Sequence, residues 1–130
     1  MDRVELTSRT KALALRIMRM VEDLPRGAKS RILSDQILRS ATSVASGYRA
    51  ACRARSRADW IDKIGRTLEE ADETLLWLEL IEEGELLPGA RLTGLTQEAR
   101  ELTAIFAAIH KTSKSTNAEG IGPIESRIIG

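Results

Sequence analysis

Residues 56–84 read SRADWIDKIGRTLEEADETLLWLELIEEG, and the spacing of their apolar side chains decides between helix and strand. Ile61, Ile64, Leu68, Ala71, Leu75 and Leu78 recur at intervals of three and four residues, which places them on one helical face, and alternation at period two is absent. Trp60, Thr67, Thr74, Trp77 and Ile81 make a second stripe beside the first, a wider apolar face than one core contact needs. Ser56 followed by Asp59 fits a capping box, in which the serine hydroxyl takes a first-turn N–H and the acid bonds back to the cap. The helix is therefore predicted to begin at Arg57, and Gly84 to end it in a left-handed cap.

The same period appears on both sides of this segment. Leu6, Thr10, Leu13, Ile17, Val21 and Leu24 predict a helix over about 7–24, broken by Pro25 and Gly27. Leu33, Ile37, Ala41, Val44, Tyr48 and Ala51 predict a second over 28–52, with Gly47 as its weak point. Downstream, Pro88 suits a first turn, and Leu92, Leu95, Ala99, Leu102, Ile105, Phe106 and Ile109 continue the helical spacing. Four helices with short connections and no competing strand specify an all-α, up-down-up-down four-helix bundle. The bundle is expected over 1–114. Residues 115–130, with Gly120, Gly122 and Pro123 and no apolar period, are expected to form a flexible tail.

At 130 residues the chain is the size of one domain and can bury a core without covalent staples. Cys52 is its only cysteine, so no intrachain disulfide can form, and a reducing, cytoplasmic setting is expected. Met1 is followed at once by charged residues, and no stretch approaches the ~20 apolar residues of a membrane span.

Motifs that would carry a reaction are missing. A di-iron bundle needs a Glu-x-x-His on each of two helices, whereas the single histidine, His110, follows Ala107 at that spacing. Glu69, Glu70, Asp72 and Glu73 read instead as a solvated helix face. His110 sits where a helix C-terminus favours a cation, and no partner at motif spacing makes it a base. Cys52 lacks a second thiol and reads as a small packed side chain. There is no P-loop, nucleophile elbow or dinucleotide fingerprint. The expectation is a protein that is not an enzyme and uses no metal or cofactor.

The charge is more informative. A net +1 conceals a partition: residues 1–57 carry 13 Lys/Arg against 5 Asp/Glu, and residues 58–90 carry 2 against 10. Arg49, Arg53, Arg55 and Arg57 crowd the corner between the second and third helices, where guanidinium forks would suit phosphate oxygens. Cations at a helix C-terminus are also ordinary dipole partners. Two readings follow. The corner binds RNA or DNA through phosphates, nonspecifically and with strong salt dependence. Alternatively, the chain is a protein–protein scaffold with no nucleic-acid ligand, the basic corner of one subunit meeting the acidic third helix of the next. Either way, the second stripe of the third helix, with Trp60, Trp77 and Ile81, is predicted to face a neighbouring subunit.

Four segments, QILRSATSV (36–44), YRAACRARSRADWI (48–61), LEEADETLLWLELI (68–81) and ELTAIFAAIHKT (101–112), resemble in order and wording the four-helix-bundle proteins of the 23S rRNA intervening-sequence type. That group includes the accessory protein of diversity-generating retroelements. The resemblance runs from about Thr7 to Lys114. It implies a cyclic homo-oligomer, a pentamer of up-down bundles, often with a positively charged surface or pore. It brings no catalytic residues, and it implies nucleic-acid binding for a few relatives. The chain departs from its relatives at Gly47, where many have asparagine, but keeps Tyr48, Arg49, Arg53 and Arg55.

Overall fold

A computed structural model describes residues 1–116 of the chain. Four helices run in order: α1 (Arg3–Val21), α2 (Ala28–Ala51), α3 (Arg57–Glu83) and α4 (Gly89–Thr116). The expected tail lies outside the described residues beyond Thr116, and α4 itself runs two residues past the expected end of the bundle.

Local chemistry sets each boundary. α1 starts four residues earlier than its apolar stripe suggests, because the Asp2 carboxylate accepts the Glu5 N–H at 2.8 Å and caps the helix. It stops at Val21: Asp23 and Leu24 donate to carbonyls only three residues back, at 3.0 and 3.3 Å, and Pro25 disfavours helical backbone at Leu24. α3 begins at Arg57 as expected, with the Ser56 hydroxyl accepting the Asp59 N–H at 3.1 Å. Its other end differs from expectation. Gly84 has φ −79°, and the residue in left-handed conformation is Glu85, at φ 60°. Leu86 donates to the Ile81 carbonyl and Glu85 to that of Glu82, each at 3.0 Å, the paired bonds of a Schellman motif with glutamate where glycine usually sits. Gly84 is needed one position earlier, since a Cβ there would lie 2.7 Å from the Leu80 carbonyl oxygen.

α3 packs along both α2 and α4, while α1 leans mainly on α2 and meets α4 over a shorter stretch. α1 and α3 are therefore diagonal. This placement explains the double stripe of α3, because a helix gripped from two sides needs two apolar faces inside its own bundle. Trp60 and Ile81 are buried there together with Ile64, Ala71 and Leu78. Tyr48 and Phe106 are fully buried, with ring centroids 5.7 Å apart, a separation suited to tilted aromatic contact.

Hydroxyls let polar residues join this core. Thr74 donates to Ser40 across the α2–α3 seam at 2.8 Å, and Ser40 donates on to the Ile37 carbonyl at 3.3 Å. Where Gly47 of α2 faces Thr67 of α3, a Cβ would stand 2.6 Å from Thr67 Oγ1. The weak point of α2 is thus a point of close contact between the helices. Ion pairs tie the outside: Arg9 of α1 bonds Glu98 and Glu101 of α4, Arg39 of α2 bonds Glu70 and Glu73 of α3, and Arg91 bonds Asp23. The two carboxylates around Arg9 hold its guanidinium pKa above the ordinary value despite partial burial.

Candidate nucleic-acid interface

α2 ends at Ala51 with Cys52 as its C-cap, and only Arg53 to Ser56 separate it from α3. Arg49 is in the last turn of α2, one turn before Arg53, and Arg55 precedes the Ser56 cap. Arg49, Arg53 and Arg55 are exposed and Arg57 is partly so. None of Arg49, Arg53 or Arg55 forms an ion pair among the described residues, in contrast to Arg9, Arg39, Arg66 and Arg91. Their nearest use within the fold is the negative end of the α2 dipole.

The corner is held in shape from beneath. The Asp59 carboxylate bonds the Arg55 backbone N–H at 3.2 Å and the Lys63 ammonium one turn on. The acid thus reaches one residue further upstream than a capping box requires. Chiefly through Lys63, and then the Arg55 amide, its pKa is held below the ordinary carboxylate value. Trp60 Nε1 donates to Ser113 Oγ at 2.9 Å, and Ser113 donates to the Ile109 carbonyl at 2.8 Å, so the start of α3 is fastened to the end of α4. Tyr48 lies below, its hydroxyl buried beside Cys52 without a well-formed hydrogen bond, and burial raises the phenol's pKa.

The Trp60–Ser113 bond also identifies basic residues that the sequence reading missed. Lys111 and Lys114 flank Ser113 and are exposed, so they share this end of the bundle with the arginine corner; Arg3 arrives there at the start of α1. The signal was available in the antiparallel topology, which returns the last turn of α4 to the first turn of α3. Beside Lys114 an open groove of about 610 Å³ runs between α3 and α4, bordered by Asp62, Arg66, Glu69 and His110. His110 is half-buried against Gly65, its Nε2 only 3.0 Å from where a Cβ would be.

Other expected site residues are placed differently. Trp60 and Ile81 do not face outward for a neighbouring subunit, because both lie within their own bundle. Trp77 is half-buried at its margin, with its indole N–H lacking a partner. The apolar side chains that do reach the surface of this part of the protein are Ile32, Leu76 and Leu80. Of the acidic run, Glu70 and Glu73 are engaged by Arg39, while Glu69 and Asp72 are exposed. Cys52 is a free, half-buried thiol. Among the described residues no group of three His, Cys, Asp or Glu side chains is placed to hold a metal ion. No helix among them is long and apolar enough to cross a membrane.

Comparison with known proteins agrees with this architecture. A protein of unknown function from the S23 ribosomal protein family of Bacteroides thetaiotaomicron, solved by crystallography, superposes with a TM-score of 0.76 at 34% identity, covering 82% of this chain and 99% of that one. A search of curated proteins gave no match. Residues 2–108 match the sequence profile of the 23S rRNA-intervening sequence proteins. With that match spanning nearly the whole bundle, the chain belongs to the 23S rRNA-intervening sequence protein family.

Proposed function

We propose that the protein is a non-enzymatic accessory factor that binds RNA or DNA nonspecifically through the basic end of its bundle. The observation that carries this reading is a cluster of exposed, unpaired guanidinium groups at the α2–α3 corner. Arg9, Arg39 and Arg91 are bound to carboxylates across the bundle, whereas Arg49, Arg53 and Arg55, gathered at one corner, hold exposed guanidinium groups with no such partner among the described residues. Lys111 and Lys114 extend the same surface. Phosphate oxygens match guanidinium forks, and no base-reading element accompanies them, so affinity rests on backbone charge. The outward face of α3, with Asp62, Glu69 and Asp72, repels a polyanion and confines binding to the end.

Self-association completes the proposal. Ile32 and Leu80 lie seven residues from Arg39 and Glu73 respectively, a bonded pair on the α2–α3 seam. Antiparallel helices shifted equally in this way keep both residues on that seam. They are 62% and 41% exposed, and Leu76 beside them is 44% exposed, an apolar patch that suits a second copy. A cyclic assembly, a pentamer by resemblance, would repeat the arginine corner around an axis.

The test is a titration of structured RNA and of duplex DNA with wild type, Arg53→Ala and Arg55→Ala in low salt. Each substitution is expected to weaken binding to both, with little change of melting temperature. No binding at low salt, or binding untouched by both substitutions, overturns the reading in favour of a protein–protein scaffold.

A further inference from the structure

The opposite end of the bundle presents a different kind of basic surface. α2 opens with PRGAKSR at residues 25–31. Its N-cap, Gly27, has φ 143° and supplies no side-chain cap, and the first turn contains no acidic residue. Arg31 N–H makes the first helical bond, to the Gly27 carbonyl at 3.1 Å, so the amides of Ala28, Lys29 and Ser30 have no acceptor within the helix. A cleft of about 250 Å³ adjoins this turn, lined by Leu24, Arg26, Gly27, Ser30, Arg31 and Asp35 among others. Ser30 is only 7% exposed and lines this cleft, and its hydroxyl makes no hydrogen bond among the described residues. The other buried serines, Ser40 and Ser113, both donate to carbonyls of their own helices.

We propose that the first turn of α2 is a binding site for a phosphate group, taken as inorganic phosphate or as a phosphate monoester. The backbone amides of Ala28, Lys29 and Ser30 and the Ser30 hydroxyl receive its oxygens, and Arg26, Lys29 and Arg31 supply the compensating charge. Aligned amides at a helix start, with the positive end of the dipole behind them, form a ready anion site. Three amides, a hydroxyl and nearby guanidinium forks offer more donors than the two oxygens of a carboxylate can accept, which favours a phosphate dianion. Arg26, Lys29 and Arg31 are exposed and without ion pairs among the described residues. Asp23, before the turn, is occupied by Arg91, and Asp35 is the one carboxylate lining the cleft. The site goes beyond the nucleic-acid reading: α2 has 24 residues, which puts its start about 36 Å from the arginine corner at the usual helical rise.

The experiment is an amide NMR titration of the full chain with inorganic phosphate, ionic strength being held constant with chloride, followed by the same titration with a nucleoside 5′-monophosphate. Saturable shifts confined to residues 27–31 are expected, with similar affinity for the two ligands. Ser30→Ala should weaken binding about fivefold, the equivalent of one hydrogen bond. Lys29→Glu should abolish it while raising the melting temperature in phosphate-free buffer, because a carboxylate in the first turn favours the helix and occupies the same amides. Arg53→Ala should leave it unchanged, which separates this site from the corner. Shifts that grow linearly without saturation, phosphate affinity that survives Lys29→Glu, or binding of the nucleoside monophosphate alone would overturn the proposal.

Discussion

Replacing Gly47 by alanine tests the packing on which the basic corner rests. In isolation the change favours α2, since glycine costs about 1 kcal/mol relative to alanine in a helix interior. In the bundle the new methyl would stand 2.6 Å from Thr67 Oγ1 and 3.6 Å from Thr67 Cβ. The first separation is far inside contact distance and the second is ordinary. Thr67 is buried and its hydroxyl donates to the Lys63 carbonyl at 2.8 Å, so relief requires breaking that bond or spreading α2 from α3. Overpacking of this kind costs about 1–3 kcal/mol, which offsets or exceeds the gain of about 1 kcal/mol in propensity, and Gly47→Ala should destabilise by up to about 2 kcal/mol. Urea unfolding of Gly47→Ala, Thr67→Ala and the double variant measures the coupling. With the Thr67 hydroxyl gone, the same glycine replacement should become neutral or stabilising. A Gly47→Ala protein more stable than wild type, or an equal loss in the Thr67→Ala background, would refute the claimed contact.

Four further expectations follow from particular residues. Glu85→Gly should stabilise the protein by about 1 kcal/mol, because the left-handed conformation at φ 60° costs a residue with a Cβ roughly that much; thermal and urea unfolding would both report it. Ser113→Ala should cost about 1–3 kcal/mol, since it leaves the buried Trp60 indole N–H without its acceptor, and Trp60 fluorescence should respond. Asp59 has a folded-state pKa below its unfolded value, so its contribution is present above about pH 4 and is lost as pH falls through the folded pKa. NMR titration of the Asp59 carboxyl should show the depression, and Lys63→Met should move the value back up. A self-association measurement by light scattering should give a mass above the 14.3 kDa of one chain, with Leu80→Lys shifting it toward the monomer.

The helices were legible in the sequence because four apolar stripes kept a helical period, and the predicted stripe of α4 from Leu92 to Ile109 lies inside the bundle almost entirely as read. Assigning a stripe to a partner was not possible from periodicity. Trp60 and Ile81 looked like a second interface because the width of an apolar face says how many neighbours a helix has, and not whether those neighbours are its own. Thr10, Ser40, Thr67, Thr74 and Ser113 are buried although their residue types suggest surface. Most of their hydroxyls are satisfied by carbonyls three or four residues back, a solution that leaves no mark on the hydrophobic pattern. The Schellman ending of α3 was missed for a related reason: glycine usually takes the left-handed position, but here Gly84 is required by the nearness of the Leu80 carbonyl and Glu85 takes the strained angle. The arginine corner was visible from charge alone, while Lys111 and Lys114 joined it only once the antiparallel return of α4 was known.

The most direct test of the account is the salt dependence of RNA and duplex DNA binding by the intact protein. If the four corner arginines neutralise about four phosphates, log K for duplex DNA should fall against log salt with a slope of about −3.6, steeper if several subunits engage one duplex. Arg53→Ala should reduce the slope by about 0.9 for each subunit in contact, with little dependence on sequence. A slope near zero, or one that Arg53→Ala leaves unchanged, would contradict the assignment of the basic end as the nucleic-acid-binding surface.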